Sequence, residues 1–596
     1  MSTVKWIYVQ MISKKRLLIL IIVFNILSSL SGIIVPFLTG QAIDSIEKGL
    51  ISGNSSLKTI FYFSFLILLF TGLSYLFNVI SWYSGEFYTA KLTQQLRSEI
   101  FTTLQGQSHK YFDENSTGDL LSRATTDIMA LWDLFWVIPY LGLAGIMDLL
   151  ITLGFLLYID VPLGVVACLF LPVILVLSRK FGTAYNPLML ESRERFGQLS
   201  KILQESIEGA AVSRAFAAKS KEMNRFDREN DGYLKVMFKV RKKEAAFTPQ
   251  MKMLSGSLAA VILVIGAFRA IDDALAVGML IAAVLYASML SRPIDFITDL
   301  FIDWGKGYGA SQRIKEMLDS TPAIAEEPEA INLPDDITGR ISFEQASFGY
   351  REEPVLHGIN LTIQGGSSVV ILGGTGSGKS SLINLIPRFY DVTGGQVTVD
   401  GIDVRKLALN SLRKHIGFVD QETYLFSRTI HQNIAFGNPN AAREDVIRVA
   451  KLARAHDFIQ ELPEGYETLI GERGVNLSGG QRQRISIARA LLADPKIVIL
   501  DDSLSAVDTK TEREINEATK RLLENRTTII VTQRLSNIIS AGKIVIIKDG
   551  QIIEEGTHNE LSKNKHGWYR QLLDTQQDGL IDLTVIADEK EMKQDA

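Results

Sequence analysis

Residues 371–381 read Ile-Leu-Gly-Gly-Thr-Gly-Ser-Gly-Lys-Ser-Ser, with the full G-x-x-x-x-G-K-[ST] spacing of a phosphate-binding loop. Gly373, Gly374, Gly376 and Gly378, with Thr375 and Ser377 between them, let backbone N–H groups turn inward around phosphate oxygens. Lys379 then reaches the β/γ-phosphates, the Ser380 hydroxyl can ligate Mg²⁺, and Ser381 closes the run. The predicted cofactors are ATP and Mg²⁺. About 120 residues on, Lys496-Ile-Val-Ile-Leu-Asp501-Asp502 is an apolar strand ending in carboxylates, which puts Asp501 beside the nucleotide's Mg²⁺. A second phosphate-seeking element precedes it. Leu477-Ser478-Gly479-Gly480-Gln481 stands directly before the helical Arg482-Gln-Arg-Ile-Ser-Ile-Ala-Arg-Ala, so a serine and two glycines open a helix. Two such elements in one chain serve different nucleotides.

The elements that position these residues follow from pattern. Ser-Val-Val-Ile-Leu before the loop reads as a strand, and Ser-Leu-Ile-Asn-Leu-Ile after it opens a helix. From residue 341 short β-type runs alternate with helical patterns, giving an α/β domain over 341–575. Before it lies a polar, proline-punctuated linker at 318–340, and after it a charged tail at 576–596. Residues 1–317 are different in kind. Apolar runs long enough to cross a bilayer, about 20 residues each, stand near 17–39, 58–83, 132–158, 161–182, 247–270 and 275–298. The fold class is thus an all-α membrane domain of six helices followed by an α/β nucleotide-binding domain.

Basic residues set the orientation. Lys14, Lys15 and Arg16 precede span one, Lys91 and Arg97 follow span two, Arg179 and Lys180 close span four, and Arg241, Lys242 and Lys243 precede span five. Both termini and two long loops, about 84–131 and 183–246, are therefore expected in the cytoplasm of a multi-pass protein of the cell membrane. The start of the chain lacks the pattern of a cleavable signal, so span one reads as a retained anchor. A net charge of −4 gives no electrostatic case for nucleic acid. The single cysteine, Cys168, permits no disulfide within the chain and no multi-cysteine zinc site; its apolar surroundings predict a small buried hydrophobe.

Together these features resemble the ATP-binding cassette family over essentially the whole length, with Leu477–Gln481 matching its signature. The resemblance implies that two cassettes meet head to tail, each phosphate loop holding an ATP against the other's signature. It also assigns further roles. Tyr350 is similar to the aromatic that stacks on adenine, and Gln421 to the glutamine that reaches Mg²⁺. Ser505-Ala506-Val507-Asp508 resembles the loop that crosses to the partner, and Gly471-Glu472-Arg473-Gly474 the exporter-type segment that touches the partner's loops. The stretches 112–123 and 205–216 resemble coupling segments, each with a short helix that docks on a cassette.

Two positions depart from the family. The residue after the metal-site aspartate is Asp502 where most members carry glutamate, and Gln533 stands where the family keeps histidine against the γ-phosphate. Aspartate is one methylene shorter, so its carboxylate falls about 1 Å short, a misplacement that can cost on the order of 10²-fold in rate. Gln533 can donate a hydrogen bond but cannot become cationic. The combination resembles the degenerate half of a heterodimeric exporter of lipophilic drugs or lipids, paired with a second half-transporter that has both groups. A homodimeric lipid flippase or peptide exporter with a slow site is the alternative, as is an ATP-gated regulatory membrane subunit. For the substrate, Asp148 lies inside span three, and Asp295, Asp299 and Asp303 recur every four residues. They either line an inward cavity that attracts a cationic amphiphile, pair with Arg or Lys on a neighbouring helix, or lie in the headgroup region.

Overall fold

Where water is excluded every backbone polar group must bond within its own segment, so long apolar runs become long helices. The computed structural model describes residues 2–51, 57–350, 353–471, 474, 476–501, 525–532 and 542–577. It divides into two units, one of Met1–Gly106 with Ser116–Ser320, the other of Gln107–Asn115 with Thr321–Ala596.

The first unit is helical. Lys15–Leu50, Leu57–Gln105, Thr117–Ile159, Val161–Glu208 and Lys219–Ile271 are each long and apolar enough to cross a membrane. The third of these rods is not uniform. It contains two π-helical stretches, Arg123–Asp127 and Val137–Gly142, the second holding Pro139, which cannot donate to an α-helical ladder. The sixth run is split at Leu290 into Val277–Met289 and Ser291–Leu318. Pro293 explains the break: proline suits the first turn of a new helix, where no N–H acceptor is needed.

Between the third and fourth rods the chain turns at Asp160. Its carboxylate accepts from Leu163 N at 3.3 Å, capping the next helix, and from Arg269 Nε at 2.6 Å. The helices Lys15–Ile51 and Val277–Met289 meet backbone to backbone at Gly40 and Gly278. A Cβ on Gly278 would lie 2.0 Å from the Gly40 carbonyl oxygen, and Gly278 N donates to Asp44 Oδ1 at 2.6 Å. Further along that crossing, the buried Tyr286 hydroxyl donates to Ile33 O at 2.6 Å. Cys168 corrects one expectation. It is exposed on the helix Val161–Glu208, because its neighbour Ala167 and not the thiol faces the packed interior.

The second unit is α/β. The antiparallel sheet β2-β1-β4-β5 comprises β1 (Ile341–Phe348), β2 (Leu356–Ile363), β4 (Gly394–Val399) and β5 (Ile402–Asp403). The larger sheet runs β10-β9-β3-β8-β7-β6, from β3 (Ser368–Leu372), β6 (Ile416–Val419), β7 (Ile497–Asp501), β8 (Thr527–Val531), β9 (Lys543–Lys548) and β10 (Gln551–Gly556). Strands β9, β3, β8, β7 and β6 are mutually parallel, and their near-continuous Val/Ile runs are what a strand buried on both faces requires. Phe343, Leu361 and Val397 from the small sheet share one core with Ile371, Ile499 and Ile529 from the large one. A separate core gathers Leu425, Ile434, Val446, Leu477 and Ile485 under helices that include Gly479–Leu492.

Candidate nucleotide site

Strand β3 lies between β8 and β9 and delivers the phosphate loop at its carboxyl end. Gly373 follows directly, and any Cβ there would lie 2.2 Å from Ile547 O, so the close approach of β9 requires glycine. Gly376 and Gly378 hold positive φ angles of 78° and 99°, which turn the loop back over its own start. Lys379 Nζ donates to the carbonyl oxygens of Gly373 at 2.9 Å and Gly374 at 2.6 Å, keeping the ammonium inside the loop. The helix Lys379–Asn384 begins there, with Ser381 buried and its hydroxyl 3.1 Å from that of Tyr350. Tyr350 itself is 41% exposed and stands edge-on to Phe348 and Tyr390, with centroids 4.9 and 5.2 Å away.

Parallel register brings the metal-site candidates together. Asp501, the last residue of β7, lies opposite Val531 of β8, and Leu500 lies opposite Val419 at the end of β6. Gln421 is two residues beyond that end, so amide and carboxylate emerge from neighbouring strands. Ser380, Gln421 and Asp501 line one cavity of about 320 Å³ together with His109, Phe389 and Phe418. Hydroxyl, amide and carboxylate oxygens form a hard donor set suited to Mg²⁺ with several waters retained.

The signature candidate stands elsewhere in the unit. Ser478 caps the helix Gly479–Leu492: its hydroxyl accepts from Gln481 N at 3.3 Å, and Gln481 Oε1 accepts from Ser478 N at 2.9 Å. Leu477 is buried in the helical core, and none of Leu477–Gln481 lines the cavity around Asp501. The same helix carries Arg489, which donates to Asn433 O, Asn433 Oδ1 and Tyr424 O. Burial pushes its guanidinium down to about 10.

Several predicted residues fall outside the described ones: Asp502, Gln533, Ser505, Asp508 and Glu472. In the helical unit Asp148 is half-buried on Leu143–Ile159, while Asp295 and Asp299 fall on the helix Ser291–Leu318. One turn further Asp303 accepts from Lys306 at 2.8 Å, a pair within the same helix and not one to a neighbouring helix. The short helix Ala210–Ala215, within the second stretch expected to couple, has no buried residue, and Phe216 beyond it is 80% exposed.

Three aromatic residues were not legible as site residues. The first short helix, His109–Glu114, groups with the nucleotide unit, and its His109 ring lies 4.3 Å from Phe389. Tyr390 Oη donates to Asp113 Oδ2 at 2.6 Å. Burial, and then the Asp113 carboxylate, raise that phenol well above its ordinary value, so it stays a donor.

Comparison with known proteins accords with this arrangement. A family model described as the ABC transporter transmembrane region matches residues 18–294, and one described as ABC transporter matches 356–505. The "ATP-dependent lipid A-core flippase" of Syntrophus aciditrophicus (strain SB) is 37% identical over 499 residues, covering 84% of this chain and 82% of that protein. A "putative multidrug export ATP-binding/permease protein" of Bacillus subtilis (strain 168) is 34% identical over 574 residues, covering 94% and 98%. Among solved structures, a bacterial Atm1-family ABC exporter with ATP bound superposes with a TM-score of 0.82 at 26% identity, over 94% of this chain and 98% of that one.

Proposed function

Given that the chain belongs to the ATP-binding cassette transporter family, as an ATP-hydrolysing exporter half, we propose that it is the degenerate subunit of a heterodimer in the cell membrane. Its own site holds Mg·ATP as a long-lived clamp. Its signature completes the hydrolytic site of a different, competent partner. The observation that carries this reading is the pair Asp502 and Gln533, set beside a binding apparatus with nothing missing.

Each residue has a distinct part. The phosphate loop and Lys379 hold the phosphates, and Tyr350 offers its ring to the adenine. Ser380, Gln421 and Asp501 would hold a Mg²⁺, whose charge would neutralise the phosphates. Asp502 is too short to orient a water for attack, and Gln533 cannot supply a positive charge at the γ-phosphate. Closure of two cassettes around ATP turns the membrane helices from inward- to outward-facing, because each state binds ATP with different affinity. The exposed Val212 and Phe216 at the second loop support docking on another subunit. The termini lie in the cytoplasm, and the cargo is a lipophilic drug or a lipid.

The test is turnover. The purified chain alone should hydrolyse ATP about 10²-fold more slowly than a competent exporter, and ordinary exporter rates would remove the proposal. A homodimeric lipid flippase is the second reading, favoured by the 37% identity to a lipid A-core flippase. A native assembly holding two copies of this chain would favour it.

A further inference from the structure

The π-helical stretch Val137–Gly142 and the helical turn before it gather an aromatic cluster in the helical unit. Asp133, Trp136 and Tyr140 follow one another at three and four residues, so they fall on one helix face. The Trp136 and Tyr140 rings lie 4.8 Å apart, and Trp82 of the helix Leu57–Gln105 lies 6.2 Å from each, making a triangle of three rings. The triangle is fixed from behind. Asn25 reaches the Pro139 and Tyr140 carbonyl oxygens at 3.5 and 3.4 Å, and Asn78 hydrogen-bonds the Tyr140 hydroxyl. Trp136 packs over Gly85, where an added Cβ would lie 3.7 Å from the indole nitrogen, and that N–H is buried with no acceptor among the described residues. A buried donor left unsatisfied costs stability, so packing alone does not account for the indole. Tyr140 is buried, but Trp82 is 52% exposed and Asp133 is exposed as well. A carboxylate within a spanning run cannot face hydrocarbon, so this face turns to the bundle interior or to a water-filled cavity. Asp303 and Lys306 of the helix Ser291–Leu318 stand near enough to Asp133 to feel its charge. Lys306 already pairs with Asp303 at 2.8 Å, and among the described residues no base pairs with Asp133. One negative charge is thus left over beside the three rings.

We propose that Trp82, Trp136 and Tyr140 form a cage, with Asp133 at its edge, that binds lipophilic cations of the quaternary ammonium class. Ring faces carry negative potential, so a cation within about 6 Å of a ring centroid is attracted, most strongly where water is excluded. Those faces offer no hydrogen-bond acceptor. A cation without N–H donors therefore loses less on leaving water than a primary ammonium does. The Asp133 carboxylate adds the full charge that the rings lack and balances the guest's own. As a cargo site the cage rests on the proposed export of lipophilic compounds, and not on whether the partner is a different chain.

The probe is radiolabelled decyltrimethylammonium, and decyldimethylamine N-oxide is its counterpart of equal size and no net charge. Binding is measured on the full-length chain in lipid nanodiscs with whatever partner co-purifies, after subtraction of empty nanodiscs. ATP-driven uptake is measured on the same assembly in liposomes. Asp133→Asn should weaken binding of the cation about tenfold and leave the N-oxide within about twofold. Trp82→Leu keeps apolar bulk but removes the ring face, and should weaken the cation about fivefold, whereas Trp82→Phe should stay within about twofold of wild type. Equal losses of both compounds in Asp133→Asn would mark a merely structural role and overturn the proposal, as would no loss of the cation in Asp133→Asn or in Trp82→Leu. Uptake of the N-oxide by a wild-type assembly that does not bind the cation would overturn the cage and spare the export reading. Cation binding with the expected dependence, but no ATP-driven uptake of either compound, would support the cage and remove the export reading.

Discussion

On the proposed reading, a single methylene at Asp502 and a single titratable ring at position 533 separate holding a nucleotide from splitting it. Restoring both, as Asp502→Glu with Gln533→His, returns the carboxylate's reach and a group that can carry charge. The double variant, assayed by phosphate release with any partner site inactivated, should gain about 10²-fold in turnover while ATP affinity stays near its original value. An unchanged rate would place the defect elsewhere in the site. Residues at this scale were legible where chemistry sits in contiguous spacing, as in Gly373–Ser381 and Leu477–Gln481. Tyr350 and Gln421 were legible only through resemblance, since register and packing, not spacing, bring them to Ser381 and Asp501. His109 and Tyr390 were not legible at all. The hydrogen bond from Tyr390 to Asp113 spans 277 residues of sequence, and no local pattern announces a contact of that range.

Elements hold through closer constraints. Long helices could be read from hydropathy alone, but the break at Leu290 and the π-helical stretches could not, because they depend on how helix ends and prolines are accommodated. Nor could the Gly40–Gly278 crossing, where two backbones meet. Gly278→Ala forces them apart and should cost about 1–3 kcal/mol, read as a lower unfolding temperature of the detergent-solubilised chain. Gly72→Ala, with nothing within 4 Å of the added methyl, is the matched control and should be neutral or better.

In the nucleotide unit Asp400 joins the end of β4 to the entry of β1. It accepts from Thr338 N, Thr338 Oγ1 and Arg340 N at 2.6, 2.6 and 2.7 Å, and more weakly from Gly339 N. Burial alone would raise this carboxyl, but the hydrogen bonds outweigh it and hold it below the ordinary range. A depressed folded value means stabilisation that is complete above the unfolded value of about 3.9 and lost as pH falls through the lower folded one. Asp400→Asn should therefore cost about 2 kcal/mol at pH 7 by chemical denaturation, with the gap to wild type closing only below about pH 4. A gap that stays constant to pH 3 would assign the effect to shape and not to charge.

For the molecule as a whole, Leu477 of the signature packs in a different core from the strand that delivers the phosphate loop, and none of Leu477–Gln481 lines the cavity around Asp501. On the proposed head-to-tail pairing each finished site draws on two subunits, and the two sites need not be alike. If this chain clamps one ATP while its signature serves the partner, damage to its two elements has unequal consequences. Asp502→Ala should leave transport within about twofold, because that carboxylate already contributes little. Gly479→Asp puts a carboxylate where a phosphate must approach a helix N-terminus, and should lower ATP hydrolysis at the partner's site by about 10²-fold. Both would be measured on the native assembly reconstituted in liposomes, following substrate movement and phosphate release together. In a homodimer of active sites the two substitutions would do comparable harm, since every copy would lose both its own hydrolysis and its neighbour's. Comparable harm is thus the outcome that defeats the heterodimer, and a wide gap between the two is what the proposed roles of Asp502 and Gln533 predict.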